Sequence, residues 1–206
     1  MILIKFALSA LIVLVANPGE GRLHDPFSAD TETIYAGPLV DVWNHLREQI
    51  ALDDLIVSYC GDELTADCEA ARKLKAVVDD ARQYQGKALL GHINRSINLM
   101  IWPAPGRLMS GLDVLKMGSG DCKDYAVAKY AALLHAGIAA SRMRLIVVDD
   151  KIHHEDHMLV AAYDEGRWLL LDNLTLLLLE DRERAAVFVP LFVADDVGVR
   201  RYIPPI

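Results

Sequence analysis

Residues 118–125 read Gly118-Ser119-Gly120-Asp121-Cys122-Lys123-Asp124-Tyr125, and an apolar run to Ala136 follows. Glycines allow tight backbone geometry just before a helix. Asp121 to Ala136 has the pattern of a strong helix, with Gly137 as its C-terminal cap. Cys122 then falls on the first turn. The positive end of the helix dipole stabilises a thiolate there and lowers the thiol pKa. The unpaired amides of the same turn can also hydrogen-bond an oxyanion. Asp121 and Asp124 oppose a thiolate by charge, and as bare residues they serve equally well as helix caps.

A nucleophilic thiol needs a base, and the base needs an acceptor that orients it. His157 opens a predicted strand, His157–Tyr163, and Asp172 ends the next, Trp168–Asp172. Asp164-Glu165-Gly166-Arg167 between them is a hairpin signal. In a hairpin the start of one strand lies opposite the end of the other, so His157 is expected beside Asp172. The candidate site is therefore Cys122, His157 and Asp172. Two bland readings compete with it. His153-His154-Glu155-Asp156-His157 has the residue types of a metal cluster, but that leaves Cys122 and Asp172 unused. Asp172-Asn173 alone reads as a turn. Asn94 and Asn98 are candidates for a second oxyanion donor, although such residues are more often solvated on a helix.

Further out, helical spacing marks Leu39–Leu55, a segment from Thr65 to about Gln85, and Ala88–Met100. Trp102-Pro103-Ala104-Pro105-Gly106 ends the last of these. Gly111 to Gly120, with three glycines, reads as a loop. Strands are expected at Met143–Val148 and Val187–Val193 besides the hairpin pair. Leu174–Leu179 is apolar enough to be expected in the interior. Asp195-Asp196-Val197-Gly198 turns the chain toward its tail. Residues 39–206 thus form one α+β domain, a nucleophile helix packed on an antiparallel sheet. Residues 17–38 read as an extended lead-in.

The start of the chain resembles an export signal. Lys5 precedes the uncharged run Phe6–Ala16, and Asn17-Pro18-Gly19 breaks it. The run is short of the about 20 apolar residues that cross a bilayer. Residues 1–16 are read as a signal peptide; an uncleaved anchor is the alternative, and both put the domain in the periplasm or outside the cell. The net charge of −8, with no basic stripe among aromatics, argues against nucleic acid as partner. Of three cysteines, Cys60 and Cys68 are close enough in sequence to close a short loop, though spacing alone does not establish the bond. That leaves Cys122 as the candidate reactive thiol.

Three segments taken together resemble the bacterial transglutaminase-like cysteine proteinases of LapG-like type. They are Gly120-Asp121-Cys122-x-Asp124-Tyr125-Ala126, His157-Met158-x-x-Ala161 and Leu171-Asp172-Asn173. The intervals of 35 and 15 residues fit as well. The resemblance extends over most of the chain, including Val187-Phe188-Val189-Pro190-Leu191-Phe192. It implies a papain/transglutaminase-like fold and a Cys-His-Asp peptidase with Cys122 as nucleophile, His157 as base and Asp172 as orienting acid. It also implies a surface adhesin as substrate, released in biofilm dispersal, and an inner-membrane receptor responding to cyclic di-GMP as partner. The chain is expected to be a monomer. Relatives bind calcium with acids flanking the cysteine. Here Asp121 and Asp124 match, but Lys123 stands where the family has an acid, and an ammonium repels a dication; no cofactor is expected to be required. Ile101–Gly118 is shorter than in relatives and lacks their Trp-x-x-Pro element, so substrate choice does not carry over. The same triad would also serve glutamine-directed acyl transfer or deamidation, and the fold without chemistry would serve as a binding module.

Overall fold

The computed structural model describes residues 23–61 and 63–204. The export-signal segment 1–16 lies outside the described residues. The elements in chain order are β1 (Thr31–Ile34), α1 (Pro38–Tyr59), α2 (Ala66–Ala81), α3 (Gly86–Met100), β2 (Trp102–Pro103), α4 (Gly111–Met117), β3 (Ser119–Gly120) and α5 (Cys122–His135). They continue with β4 (Met143–Asp150), β5 (Glu155–Asp164), β6 (Arg167–Leu171), β7 (Leu179–Glu180), α6 (Asp181–Arg184), β8 (Phe188–Ala194) and β9 (Val199–Tyr202). One antiparallel sheet runs β1-β9-β8-β4-β5-β6-β7, and β2 pairs with β3 apart from it.

Helix α5 is the pivot. Every residue from Asp124 to Leu133 is buried, which is what an apolar helix enclosed on all sides requires. Helices α2, α3 and α4 pack on it from one side and β5 from the other. Around it, α1 turns Trp43, Leu46 and Ile50 inward, and α3 turns Leu89, Ile93 and Ile97. Strand β5 alternates: Val160 and Ala162 join the helix-side core, while Leu159 and Ala161 face the other side of the sheet. Gly137 closes α5 with φ +94°; its N–H donates to Leu134 O and that of Ile138 to Leu133 O.

Residues 23–38, the described part of the expected lead-in 17–38, do more than lead in. Thr31–Ile34 is the edge strand paired with β9, and Leu23, Phe27 and Ala29 pack on the second face of the sheet. Asp25 is clamped there by Arg144 (Nε–Oδ1 2.9 Å) and by Arg200 (Nη2–Oδ1 2.7 Å), which also binds Asp195. The expected loop 111–120 holds a helix instead. Ser110 caps α4 by accepting from the Asp113 N–H, Gly118 ends it at φ +70°, and Leu112, Val114 and Leu115 are buried. These are ordinary cap signals that the three glycines masked. After the expected turn at Asp195–Gly198, Val199–Tyr202 forms strand β9. Leu174–Leu179 is a further correction: Leu174 is 52%, Leu176 40% and Leu177 65% exposed, and Leu178 alone of the run packs into the core. The segment crosses the surface between β6 and β7 with neither a 2- nor a 3.6-residue period, so leucine content alone misjudged it. Cys60 and Cys68 are joined by a disulfide that ties the end of α1 to α2.

Candidate active site

Three elements bring one functional side chain each to the same place. Cys122 is the first residue of α5, partly exposed at its N-terminus. Its position is set by a reciprocal capping box: the Asp121 N–H donates to Asp124 Oδ2 (3.0 Å), and the Lys123 N–H donates to Asp121 Oδ1. Asp124 Oδ1 accepts the Met109 N–H at 3.1 Å, which ties the loop before α4 to the same box. Gly120 is required by space. A Cβ there would lie 2.6 Å from the Asp124 Cβ. The acids flanking Cys122 are thus caps, one of the two roles the sequence left open.

His157 sits near the start of β5, and Asp172 follows the end of β6. The hairpin turns at Glu165 (φ +46°) and Gly166 (φ +85°), a two-residue turn with positive φ at both positions. It brings the His157 Nε2 to 2.8 Å from Asp172 Oδ1, and both residues are buried. Asp172 Oδ1 also accepts the Leu174 N–H at 3.0 Å. With Nε2 so engaged, Nδ1 is the ring nitrogen left for Cys122, and the thiol is hydrogen-bonded to the His157 side chain. The sequence-predicted residues Cys122, His157 and Asp172 therefore converge.

Electrostatics favour an ion pair. Burial pushes the Cys122 thiol up, but the His157 hydrogen bond, the Met158 N–H on the sulfur and the imidazolium charge outweigh it, and the thiol lies below its ordinary value. Burial alone would lower His157; its bonds to Asp172 and Cys122 raise it to about 9. Asp172 is held below the usual carboxylate range despite its burial, chiefly by the His157 bond. The cleft over these groups has a volume of about 690 Å³, and its lining includes Pro103, Ala104, Pro105, Glu155, Asp156 and Leu174.

Asn94 and Asn98 are not oxyanion donors. The Asn94 Nδ2 donates to Thr175 O, and the Asn98 Nδ2 to Asp172 O (2.9 Å) and Thr175 O. They fasten the loop carrying Asp172 to α3. The His153–His157 stretch does not form a metal cage either, since His153 pairs with Asp150 and His157 with Asp172. The calcium implied by the resemblance does not fit the side chains present. Asp124 gives both oxygens to backbone N–H groups. Asp121 Oδ2 is bonded to the Lys123 ammonium, which also donates to Gly106 O at 2.8 Å. A dication there would meet the Lys123 ammonium beside Asp121. Sequence reasoning missed Lys129, a lone lysine inside the apolar run of α5, and that isolation was the signal that could have found it.

A thiol on a helix N-terminus, facing an imidazole–carboxylate pair on paired strands, defines the papain/transglutaminase-like class of cysteine hydrolases. Residues 55–187 match the family model of the bacterial transglutaminase-like cysteine proteinases, and the chain belongs to that family of cysteine peptidases. Among solved structures, calcium-bound LapG of Legionella pneumophila is similar at 22% identity, over 75% of this chain and 86% of that one, with a TM-score of 0.59. The EGTA-treated form of the same protein is similar at 21% identity, over 76% and 84%, with a TM-score of 0.59. At that identity the likeness is one of fold. No curated protein sequence matches the chain.

Proposed function

We propose that this chain is an extracytoplasmic cysteine endopeptidase in which Cys122 attacks, His157 carries the proton and Asp172 holds the imidazole. The observation that carries the reading is the alignment of thiol, imidazole and carboxylate at the floor of the cleft, with the His157 Nε2–Asp172 bond leaving Nδ1 to the thiol. The Cys122 proton passes to His157 Nδ1, and the sulfur bonds to the scissile carbonyl carbon. The Lys123 and Asp124 N–H groups are taken by Asp121, so the Cys122 N–H is the helix-end donor open to the oxyanion. On collapse the C–N bond breaks, Nδ1 gives its proton to the leaving amine, and a thioester remains. Water, deprotonated by His157, then releases the acid and restores the thiol.

The substrate in this reading is a secreted or surface protein of adhesin type, with an inner-membrane receptor as regulator. Support comes from the export-like leader and from family membership. Calcium is not required in this reading. Lys123 supplies the cation at the start of α5, bridging Asp121 and Gly106 where an acid would otherwise recruit a metal.

The test is incubation of the purified protein, and of Cys122→Ala, with unfolded polypeptides and an extract of surface proteins, read by mass spectrometry. New backbone termini that require Cys122 support the proposal. A 1-Da gain or crosslinks at glutamine, without cleavage, would replace peptidase chemistry with acyl transfer.

A further inference from the structure

The nucleophile helix carries a lysine where its neighbours are apolar. Lys129 has no exposed surface, and Val127, Ala128, Tyr130 and Ala131 around it are buried too. It follows Cys122 by seven residues, two turns on along the same face of α5. Its Nζ stands 3.4 Å from the Leu171 carbonyl oxygen and 5.9 Å from the centroid of the Tyr125 ring. One long hydrogen bond and one cation–π contact solvate an ammonium poorly. The remaining support is the charge of Asp172, one residue beyond Leu171.

Asp172 is itself buried, with His157 and the Leu174 N–H on its Oδ1. It is a carboxylate acted on by two cations, the imidazolium and the Lys129 ammonium. Next to Asp172, helix α3 contributes the uncharged amides of Asn94 and Asn98; its Lys87, His92 and Arg95 lie farther along the loop, against Leu176–Leu178. A methionine of similar length would fill the volume without the cost of desolvating a charge. Packing therefore does not account for a lysine here.

We propose that Lys129 is a positioning residue of the peptidase site: its buried ammonium keeps Asp172 ionised, and through Asp172 keeps the imidazole charged and aimed at Cys122. The inference rests on the reading of Cys122, His157 and Asp172 given above. Burial draws the Lys129 ammonium down to about 7, against the Asp172 charge that supports it. The cation is present on the acid side of neutrality, where Asp172 would otherwise take up a proton, and fades above it. Its effect belongs to the acid limb of a pH profile, not to the alkaline limb set by His157.

The experiment is the rate of Cys122 alkylation by iodoacetamide, from about pH 4 to about pH 10, in wild type, Lys129→Met, Lys129→Arg and His157→Ala. Lys129→Met moves the acid limb up by about one pH unit and leaves the alkaline limb in place; Lys129→Arg restores the wild-type limb. A Lys129→Met profile of wild-type shape, at any amplitude, overturns the proposal, because a packing role alone produces that result. Should neither Lys129 variant fold, the wild-type Lys129 Cε resonance decides. Titration as an ammonium below about 7 supports the proposal, and a neutral amine throughout the acid limb overturns it. The His157→Ala profile separates the two failures. If it matches wild type, the Cys122–His157 pairing fails, whatever Lys129 does.

Discussion

Gly120→Ala introduces one methyl group in a place that has no room for it. The added Cβ would lie 2.6 Å from the Asp124 Cβ and 2.8 Å from its Oδ2. Asp124 is not free to move, since it is fully buried and its oxygens hold the Asp121 and Met109 N–H groups. Overpacking of this kind costs about 1–3 kcal/mol, and disruption of the reciprocal cap adds about 1 kcal/mol. Together they amount to about 2–4 kcal/mol. At about 2–4 °C per kcal/mol for a chain of this size, the melting temperature should fall by on the order of 5–15 °C. The start of α5 shifts with the box, so alkylation of Cys122 at neutral pH should slow as well. Gly118→Ala is the comparison. Its φ of +70° is strained for alanine, but no atom lies within 4 Å of the added Cβ, so it should cost about 1–2 kcal/mol and leave the thiol reactive. Thermal melts and alkylation rates of both variants test the argument. A Gly120→Ala protein that melts and alkylates like wild type would refute it.

Four further outcomes are expected. Peptidase activity should fall as pH rises through about 9, because His157 is raised to that value and the leaving amine needs its proton; it should also fall toward acid as the thiolate is lost. Asp172→Asn should bring the alkaline limb down and reduce turnover by about 10²-fold or more, and an unmoved limb would remove Asp172 from the site. Replacing both Cys60 and Cys68 by serine should cost about 2.5 kcal/mol from the nine-residue loop they close, read by urea denaturation, with wild-type Cys122 reactivity retained. Excess EGTA should leave wild-type alkylation and melting unchanged, whereas Lys123→Glu should acquire a calcium-dependent rise in melting temperature. Wild-type sensitivity to EGTA would contradict the role given to Lys123.

Much of the candidate site was legible because its signals are local. Helix α5 announced itself through two glycines, a capping aspartate and an apolar run. The hairpin announced itself through Glu165-Gly166, and with it the adjacency of His157 and Asp172. Other readings failed where composition stood in for geometry. Three glycines concealed α4, although Ser110 and Gly118 are its caps. A run of leucines suggested an interior segment, yet only Leu178 enters the core. Asn94 and Asn98 lie near the site, but their amides are committed to carbonyls 74 to 81 residues away.

By itself the sequence determined the nucleophile helix, the turn that pairs β5 with β6, and the family, because caps, turn residues and periodicity act within a few residues of one another. Tertiary structure alone decided which polar groups are bonded to which. It built Asp25 into the sheet through Arg144 and Arg200, tied Lys123 to Gly106 and buried Lys129 against the Leu171 carbonyl. The free energy of a buried charge depends on what surrounds it in space, and those neighbours come from distant parts of the chain.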